Sequence, residues 1–202
     1  LTPHLDALRR IKTAEEIEAM RRASQIAAAG HIAAMRGTRP GVKEWQIASE
    51  ATAVFYRLGA PFIAYFPIVG TGRNALILHY TNVGATVKAD EVILMDYAPE
   101  WHYYASDVTR SWPASGKFSE RGRKIYEAVL SAQEAAIARV KPGIQFTEVD
   151  KAAADSLRAS GFDPGIYMPH GLSHPIGLST HDVGGIGMLE PGLVFTIEPG
   201  IY

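Results

Sequence analysis

The sequence predicts an α+β fold built from two related helix-helix-strand halves, about residues 13–112 and 119–202 of one 202-residue domain. Three observations predict it: long amphipathic helical patterns, short apolar strands that end in a carboxylate, and landmarks that recur 102 residues apart. The recurring landmarks are Pro40-Gly41 with Pro142-Gly143, His79 with His181, and Asp96 with Glu198. The length and the 47% hydrophobic content suffice for a buried core, which excludes a disordered chain.

Two helices open the first half. Thr13 followed by Glu16 is a capping box, and it predicts the start of a long helix that ends at Gly37. The apolar face of this helix is formed by Ile17, Met20, Ala23, Ala27 and Ile32. A second helix is predicted over 43–58, because a glycine and a proline follow it closely.

Strands follow the first pair of helices. Residues 92–96 and 103–112 are rich in apolar and aromatic residues, and together they predict a β-hairpin. The second half repeats the order, with helices over 120–140 and 147–160 and a strand over 193–198.

Composition excludes several classes of function. Twenty basic and twenty-one acidic residues leave a net charge of -1, so neither nucleic acid nor an anionic membrane is an expected partner. The absence of cysteine removes disulfides, thiolate metal sites and a cysteine nucleophile. No apolar run is long enough for a membrane span, and we expect a cytoplasmic protein that binds a small ligand.

Two aspartates lie on runs of apolar or aromatic residues. Asp96 and Asp107 are both placed on predicted strands, where a buried carboxylate is costly unless it is paired or binds a metal. One alternative is that either residue caps a turn or pairs with Arg110.

Three histidines share a segment rich in glycine and proline. His170, His174 and His181 lie within twelve residues, which indicates close approach of imidazoles and backbone to a ligand. The alternative is that they are ordinary structural residues. Glu198 ends the last apolar strand and carries little information by itself.

Four of these side chains form an oxygen-rich candidate ligand set with one nitrogen. Asp96, Asp107, His174 and Glu198 suit hard divalent ions such as manganese better than a thiolate-type zinc site. Two such ions can generate a nucleophile from water and polarise a carbonyl, so hydrolysis is the expected reaction. Thr109 lies two residues after Asp107 and is placed to hydrogen-bond to a ligand.

These motifs together resemble the Xaa-Pro aminopeptidase and prolidase family, peptidase family M24. The likeness extends over nearly the whole chain and preserves the family's motif order. The segments that carry it are Asp96, Ser106-Asp107-Val-Thr-Arg110, His170-Gly-Leu-Ser-His174, His181-Asp182-Val-Gly184 and Thr196-Ile-Glu198-Pro-Gly200. The resemblance implies the pita-bread fold, in which two pseudo-symmetric halves surround a curved antiparallel sheet.

The resemblance also implies a centre of two divalent ions, with manganese first and cobalt or zinc as alternatives. Asp96 and Asp107 would hold one ion, and Asp107, His174 and Glu198 the other. The family has one more ligand, a glutamate beyond Glu198, that this chain does not reach, and a smaller N-terminal domain ahead of Leu1. We therefore expect a trimmed fragment that binds metal poorly and shows little activity.

Roles in catalysis follow from the same resemblance. Glu198 would accept the proton of the attacking water. His79 and His181 would bind the scissile carbonyl and stabilise the tetrahedral intermediate, and His170 would line the proline pocket. The implied partner is a small peptide with proline at its second position, and the full-length protein is expected to form a homo-oligomer.

Several alternatives stay open at this point. One is a pita-bread module that binds peptides without catalysis. Another is a hydrolase of the methionine aminopeptidase or creatinase type, which the His181-Asp182-Val-Gly184 motif and the two aspartates disfavour. The sequence does not distinguish an aminopeptidase from a dipeptidase restricted to Xaa-Pro.

Overall fold

The structure is a computed structural model that describes residues 2–202, so Leu1, the first residue of the predicted domain, lies outside it. Its longer elements match the predicted order of helices and strands. The helices are α1 (Thr2–Arg10), α2 (Ala14–Gly37), α3 (Glu44–Arg57), α4 (Glu120–Arg139), α5 (Phe146–Ala159) and α6 (Pro164–Tyr167). The strands are β1 (Ile68–Thr71), β2 (Val92–Asp96), β3 (Glu100–Trp101), β4 (Tyr104–Ala105) and β5 (Thr109–Pro113). No helix among the described residues is both long and apolar enough to cross a lipid bilayer.

The chain divides into two compact units. Among the described residues, unit 1 contains 2–17, 121–177 and 181–202, and unit 2 contains 18–120 and 178–180. Each unit has its own apolar core. Phe55, Ile93 and Met95 are fully buried in unit 2, whereas Val149 and Leu157 are fully buried in unit 1.

The start of α2 is the predicted capping box. The Glu16 amide donates to the Thr13 hydroxyl at 3.3 Å, and the Thr13 amide donates to the Glu16 carboxylate at 2.7 Å. The prediction of the apolar face was wrong at one position, because Ile32 is 49% exposed. His31 lies on the buried face instead, one turn after Ala27.

Unit 2 contains an antiparallel sheet in the order β1-β2-β5, and β2 with β5 confirms the predicted hairpin. The predicted strand over 103–112 is nevertheless broken. Both the amide and the hydroxyl of Ser106 donate to the Pro99 carbonyl, which ends β4 before β5 begins. Asp107 therefore lies between β4 and β5 and not on a strand.

The prediction of a regular strand over 193–198 is also wrong. Backbone bonds join 194–198 to 172–176 in antiparallel register, but only isolated bridges result. The Thr196 hydroxyl accepts from the His174 amide at 3.0 Å, and the Ser173 hydroxyl donates to the Thr196 carbonyl. These side chains occupy the groups that a regular ladder would pair.

The helix junctions of the two units share one hydrogen-bond pattern. The bonds from Gly41 to Val87, from Val87 to Val42 and from Glu44 to Ala85 recur as Gly143 to Leu189, Leu189 to Ile144 and Phe146 to Gly187. Each bond and its counterpart are 102 residues apart, the separation of the sequence landmarks. This recurrence supports internal duplication, although the predicted boundaries of the halves stay a prediction.

Candidate functional site

Two predicted metal ligands of unit 2 converge on one hydroxyl group. Asp96 is the last residue of β2, where it pairs with Thr109, and its Oδ1 accepts from the Tyr65 hydroxyl at 2.5 Å. The same hydroxyl oxygen lies 3.1 Å from Oδ1 of Asp107. The break between β4 and β5 thus turns Asp107 toward Asp96, and both half-buried carboxylates face one small polar group.

Tyr65 stays protonated in this position. Burial and the two neighbouring carboxylates raise its pKa well above the ordinary value, while the Val108 amide donates to its oxygen. Arg110, the alternative partner for the aspartates, is exposed, and its guanidinium donates to the Thr109 carbonyl. Two carboxylate oxygens directed at one point are the donor set that a hard divalent ion prefers.

The second pair of predicted ligands lies in unit 1. His174 Nδ1 is 3.0 Å from the Pro175 carbonyl, which can only accept, so this nitrogen carries a proton, and in the neutral ring Nε2 presents a lone pair. Nε2 lies 3.2 Å from Oε1 of Glu198. That oxygen already accepts from the Thr196 hydroxyl at 2.7 Å.

Two acceptors facing each other at this distance need a cation or a second proton between them. Ligand atoms about 2.1 Å from one ion and at a right angle are roughly 3 Å apart, so the spacing of His174 and Glu198 fits adjacent metal ligands. Among residues 2–202, no group of three or more His, Asp or Glu side chains has the arrangement of a metal site. The structure thus contains the four proposed ligands as two separate pairs. That the two pairs bind metal together stays a prediction.

His181 lies next to His174 in unit 1. The two rings meet edge to face, with centroids 4.2 Å apart. The following residue, Asp182, has a side chain only 1% exposed, and it pairs with Lys12 at 3.2 Å and Arg9 at 2.5 Å. These ion pairs fix the backbone on which His181 is placed.

The other two predicted substrate-binding histidines have distinct surroundings. His170 packs edge-on against the Tyr202 ring, at 5.3 Å between centroids, and its Nδ1 lies 2.8 Å from the Gly171 carbonyl. Its Nε2 is buried without a hydrogen-bond partner in the described part of the chain. His79 is exposed on the loop after β1 and has a left-handed backbone, with φ of 53°.

Sequence reasoning did not find Tyr65, Lys12 or Arg9. Tyr65 is 31 residues from Asp96, and Lys12 is 170 residues from Asp182, so no local spacing links them. Lys12 is only 5% exposed and therefore needs a carboxylate partner, but this burial is visible only in the structure.

Comparison with known proteins places the chain in a family. The profile of metallopeptidase family M24 matches residues 18–202. The chain belongs to metallopeptidase family M24. The M24 chain is 37% identical to the Xaa-Pro aminopeptidase of Escherichia coli strain K12, over 99% of this chain and 50% of that protein. It is 32% identical to the Xaa-Pro dipeptidase of Homo sapiens, over 100% of this chain and 49% of that protein.

Solved structures are similar to this M24 chain throughout its length. Aminopeptidase PepP of Pseudomonas aeruginosa has a TM-score of 0.96 at 38% identity, and covers 100% of this chain with 51% of its own. Proline aminopeptidase P II of Yersinia pestis has a TM-score of 0.92 at 37% identity, and covers 99% of this chain with 51% of its own. The predicted pita-bread fold and family resemblance are thus confirmed. The chain spans about half the length of the curated relatives that it matches.

Proposed function

We propose that this M24 chain forms the catalytic part of a metal-dependent Xaa-Pro peptidase, which hydrolyses the bond between an N-terminal residue and proline. The observation that carries the proposal is the convergence of Asp96 and Asp107 on Tyr65. Relatives named Xaa-Pro aminopeptidase and Xaa-Pro dipeptidase support this substrate class. The implied partner is a short peptide, and homo-oligomer formation and a cytoplasmic location stay predictions.

Asp96, Asp107, His174 and Glu198 are the proposed ligands of two divalent ions, with manganese as the first candidate. Bound ions would supply Lewis acidity and a water of lowered pKa. Tyr65 holds the two aspartates in place in unit 2, and Thr196 orients Glu198 in unit 1. Both supporting hydroxyls donate to carboxylates, which leaves the other lone pairs of the carboxylates for metal.

The proposal also assigns roles in proton transfer and in binding of the peptide. Glu198 accepts a proton from the attacking water, since the Thr196 hydroxyl fixes one of its oxygens. His79 and His181 donate to the scissile carbonyl and stabilise the charge that develops on its oxygen. His170 contributes an aromatic wall and an unsatisfied ring nitrogen to the proline pocket.

The test uses the protein with its native flanking sequence, because the chain spans about half the length of its relatives. The metal-free protein is titrated with manganese, cobalt and zinc, and hydrolysis of Xaa-Pro, Xaa-Pro-Xaa and Xaa-Ala peptides is compared. We expect metal-dependent cleavage only before proline, and Asp107→Asn should abolish it without loss of the fold.

The same assay separates the alternatives. Cleavage of Xaa-Pro alone assigns a dipeptidase, and cleavage of the longer peptide assigns an aminopeptidase. Hydrolysis of Met-Ala peptides in preference to proline peptides, or binding without hydrolysis at any metal concentration, would refute the proposal.

A further inference from the structure

One buried carboxylate binds the whole loop that carries His79. Glu44, the first residue of α3, is fully buried, and its two oxygens accept four hydrogen bonds. The donors are the Thr71 amide at 2.9 Å, the Asn74 side-chain amide at 2.9 Å, the Tyr80 hydroxyl at 3.0 Å and the Ala85 amide at 2.9 Å. These donors lie at the start, the middle and the end of the loop, so a single side chain closes it.

His79 lies inside this closed loop, next to one of the donors. Its left-handed backbone costs a residue with a side chain about 1 kcal/mol or more, so surrounding structure must impose it. Tyr80 follows directly. Burial and the hydrogen bond to Glu44 raise the pKa of Tyr80, which keeps its hydroxyl protonated as a donor.

Unit 1 builds the same helix junction without a carboxylate. The residue 102 positions after Glu44 is Phe146, whose amide makes the equivalent backbone bond, to Gly187. Its ring packs edge to face on Phe195, with centroids 5.8 Å apart. The junction itself therefore does not require an acidic side chain. Glu44 instead supports a feature that is specific to unit 2, the loop that carries His79.

We propose that Glu44 is a positioning residue that fixes the His79 imidazole for the peptidase reaction without touching the peptide. The proposal rests on the proposed function, in which His79 binds the scissile carbonyl. A loop that is released at Asn74 and Tyr80 lets the imidazole move by an ångström or more, and such misplacement lowers turnover strongly.

The first test is Glu44→Gln in the protein with its native flanking sequence. The amide nitrogen of glutamine cannot accept, so it loses the bonds of Thr71 and Asn74 in one orientation and that of Ala85 in the other, while the volume is kept. We expect kcat/KM for an Xaa-Pro peptide to fall about 10- to 100-fold. Glu50→Gln is the matched control, since it removes the same charge from an exposed position on the same helix, and it should leave kcat/KM unchanged.

A double-mutant cycle separates positioning from a general structural role. If Glu44 acts through His79, Glu44→Gln should have no further effect on kcat/KM in the His79→Ala background. Equal fold losses in both backgrounds would overturn the proposal. Should Glu44→Gln fail to fold, Tyr80→Phe removes the hydroxyl that contacts Glu44, Asn74 and Asn82, and it should give a loss of about three- to tenfold, with the same dependence on His79.

Two readouts do not depend on activity. Glu44→Gln should shift the imidazole NMR signals of His79 and speed amide exchange over residues 71–85, whereas Glu50→Gln should do neither. Unchanged His79 signals would also overturn the proposal. If the wild-type protein hydrolyses no Xaa-Pro peptide, the proposed function fails, and these two measurements alone decide the position of His79.

Discussion

The loops that carry His79 and His181 occupy matching places in the sequence and are held by different electrostatic means. The His79 loop binds a carboxylate on a neighbouring helix, Glu44, through neutral donors. The His181 loop carries its own carboxylate, Asp182, which binds two cations near the start of the chain. A duplicated backbone pattern can thus keep its main-chain bonds while each copy acquires its own anchor.

The difference predicts that the two loops respond differently to loss of charge. The carboxylate of Glu44 has neutral partners, so its removal leaves unsatisfied dipoles. Removal of Asp182 instead leaves Lys12, whose side chain is 1% exposed, as an uncompensated buried cation. Loss of the Asp182 carboxylate should therefore lower stability more than loss of the Glu44 carboxylate.

The largest expected effect is that of Asp182→Asn. We expect a loss of about 3–5 kcal/mol in the free energy of unfolding, because the charges of Lys12 and Arg9 lose their partner. Urea denaturation measures it. Asp155→Asn is the matched control, since this exposed aspartate pairs with Lys151 and Arg158 in solvent, and it should cost far less than Asp182→Asn. Equal costs for the two variants would contradict the account of the anchor.

An intermediate effect comes from a buried histidine of unit 2. His31 is 2% exposed, its Nε2 donates to the Tyr97 carbonyl at 3.1 Å, and burial lowers its pKa to about 4 from 6.5. The unfolded chain binds this proton below pH 6.5 and the folded chain only near pH 4. His31 therefore lowers stability as the pH falls from 6.5 to 4, by about 3 kcal/mol at ~1.4 kcal/mol for each pKa unit.

This pH dependence is measured by urea denaturation between pH 7 and pH 4.5. His31→Gln should flatten the slope relative to wild type, even if it lowers stability at neutral pH. His102→Gln, at an exposed position, should leave the slope as it is. A wild-type slope in His31→Gln would show that other groups cause the acid sensitivity.

The smallest effect concerns turn chemistry, where the two units also differ. The β3-β4 turn of unit 2 has His102 and Tyr103 at φ of 51° and 70°, while every left-handed position in the described part of unit 1 is a glycine, as at Gly184 and Gly185 with φ of 93° and 59°. Positive φ at both central residues favours Asn-Gly. Replacing His102-Tyr103 with Asn-Gly should stabilise the protein by about 1 kcal/mol, measured as a rise in Tm. A fall in Tm would show that the stacking of Trp101 on His102 outweighs the relief of strain.

Local patterns predicted α2 to α5 and the central hairpin, but they missed the short elements α1, α6 and β1. The Thr13 capping box set the start of α2, and the Pro-Gly pairs marked the recurring junctions. Asp107 was misplaced on a strand because the bonds of Ser106 to Pro99 that end β4 leave no periodic trace in the sequence. The prediction of a strand before Glu198 was wrong for a similar reason, since the Thr196 hydroxyl accepts the hydrogen bond of the His174 amide.

The candidate site was predictable where motifs carry it and not where distant residues support it. Asp96 and His174 stood out as acidic and imidazole groups in apolar or glycine-rich surroundings. Tyr65 and Glu44 did not, because their partners lie between 27 and 43 residues away and each residue looks ordinary beside its neighbours. Such supporting contacts depend on tertiary structure alone.

The proposed function depends on one proposal above all, that Asp96, Asp107, His174 and Glu198 together bind one pair of divalent ions. The most direct measurement is paramagnetic broadening of NMR signals by manganese, in the protein with its native flanking sequence. We expect substoichiometric manganese to broaden signals near Asp107 and near His174 together, and Asp107→Asn to weaken both effects. Broadening near only one of the two pairs, or an unchanged effect near His174 in Asp107→Asn, would contradict the claim.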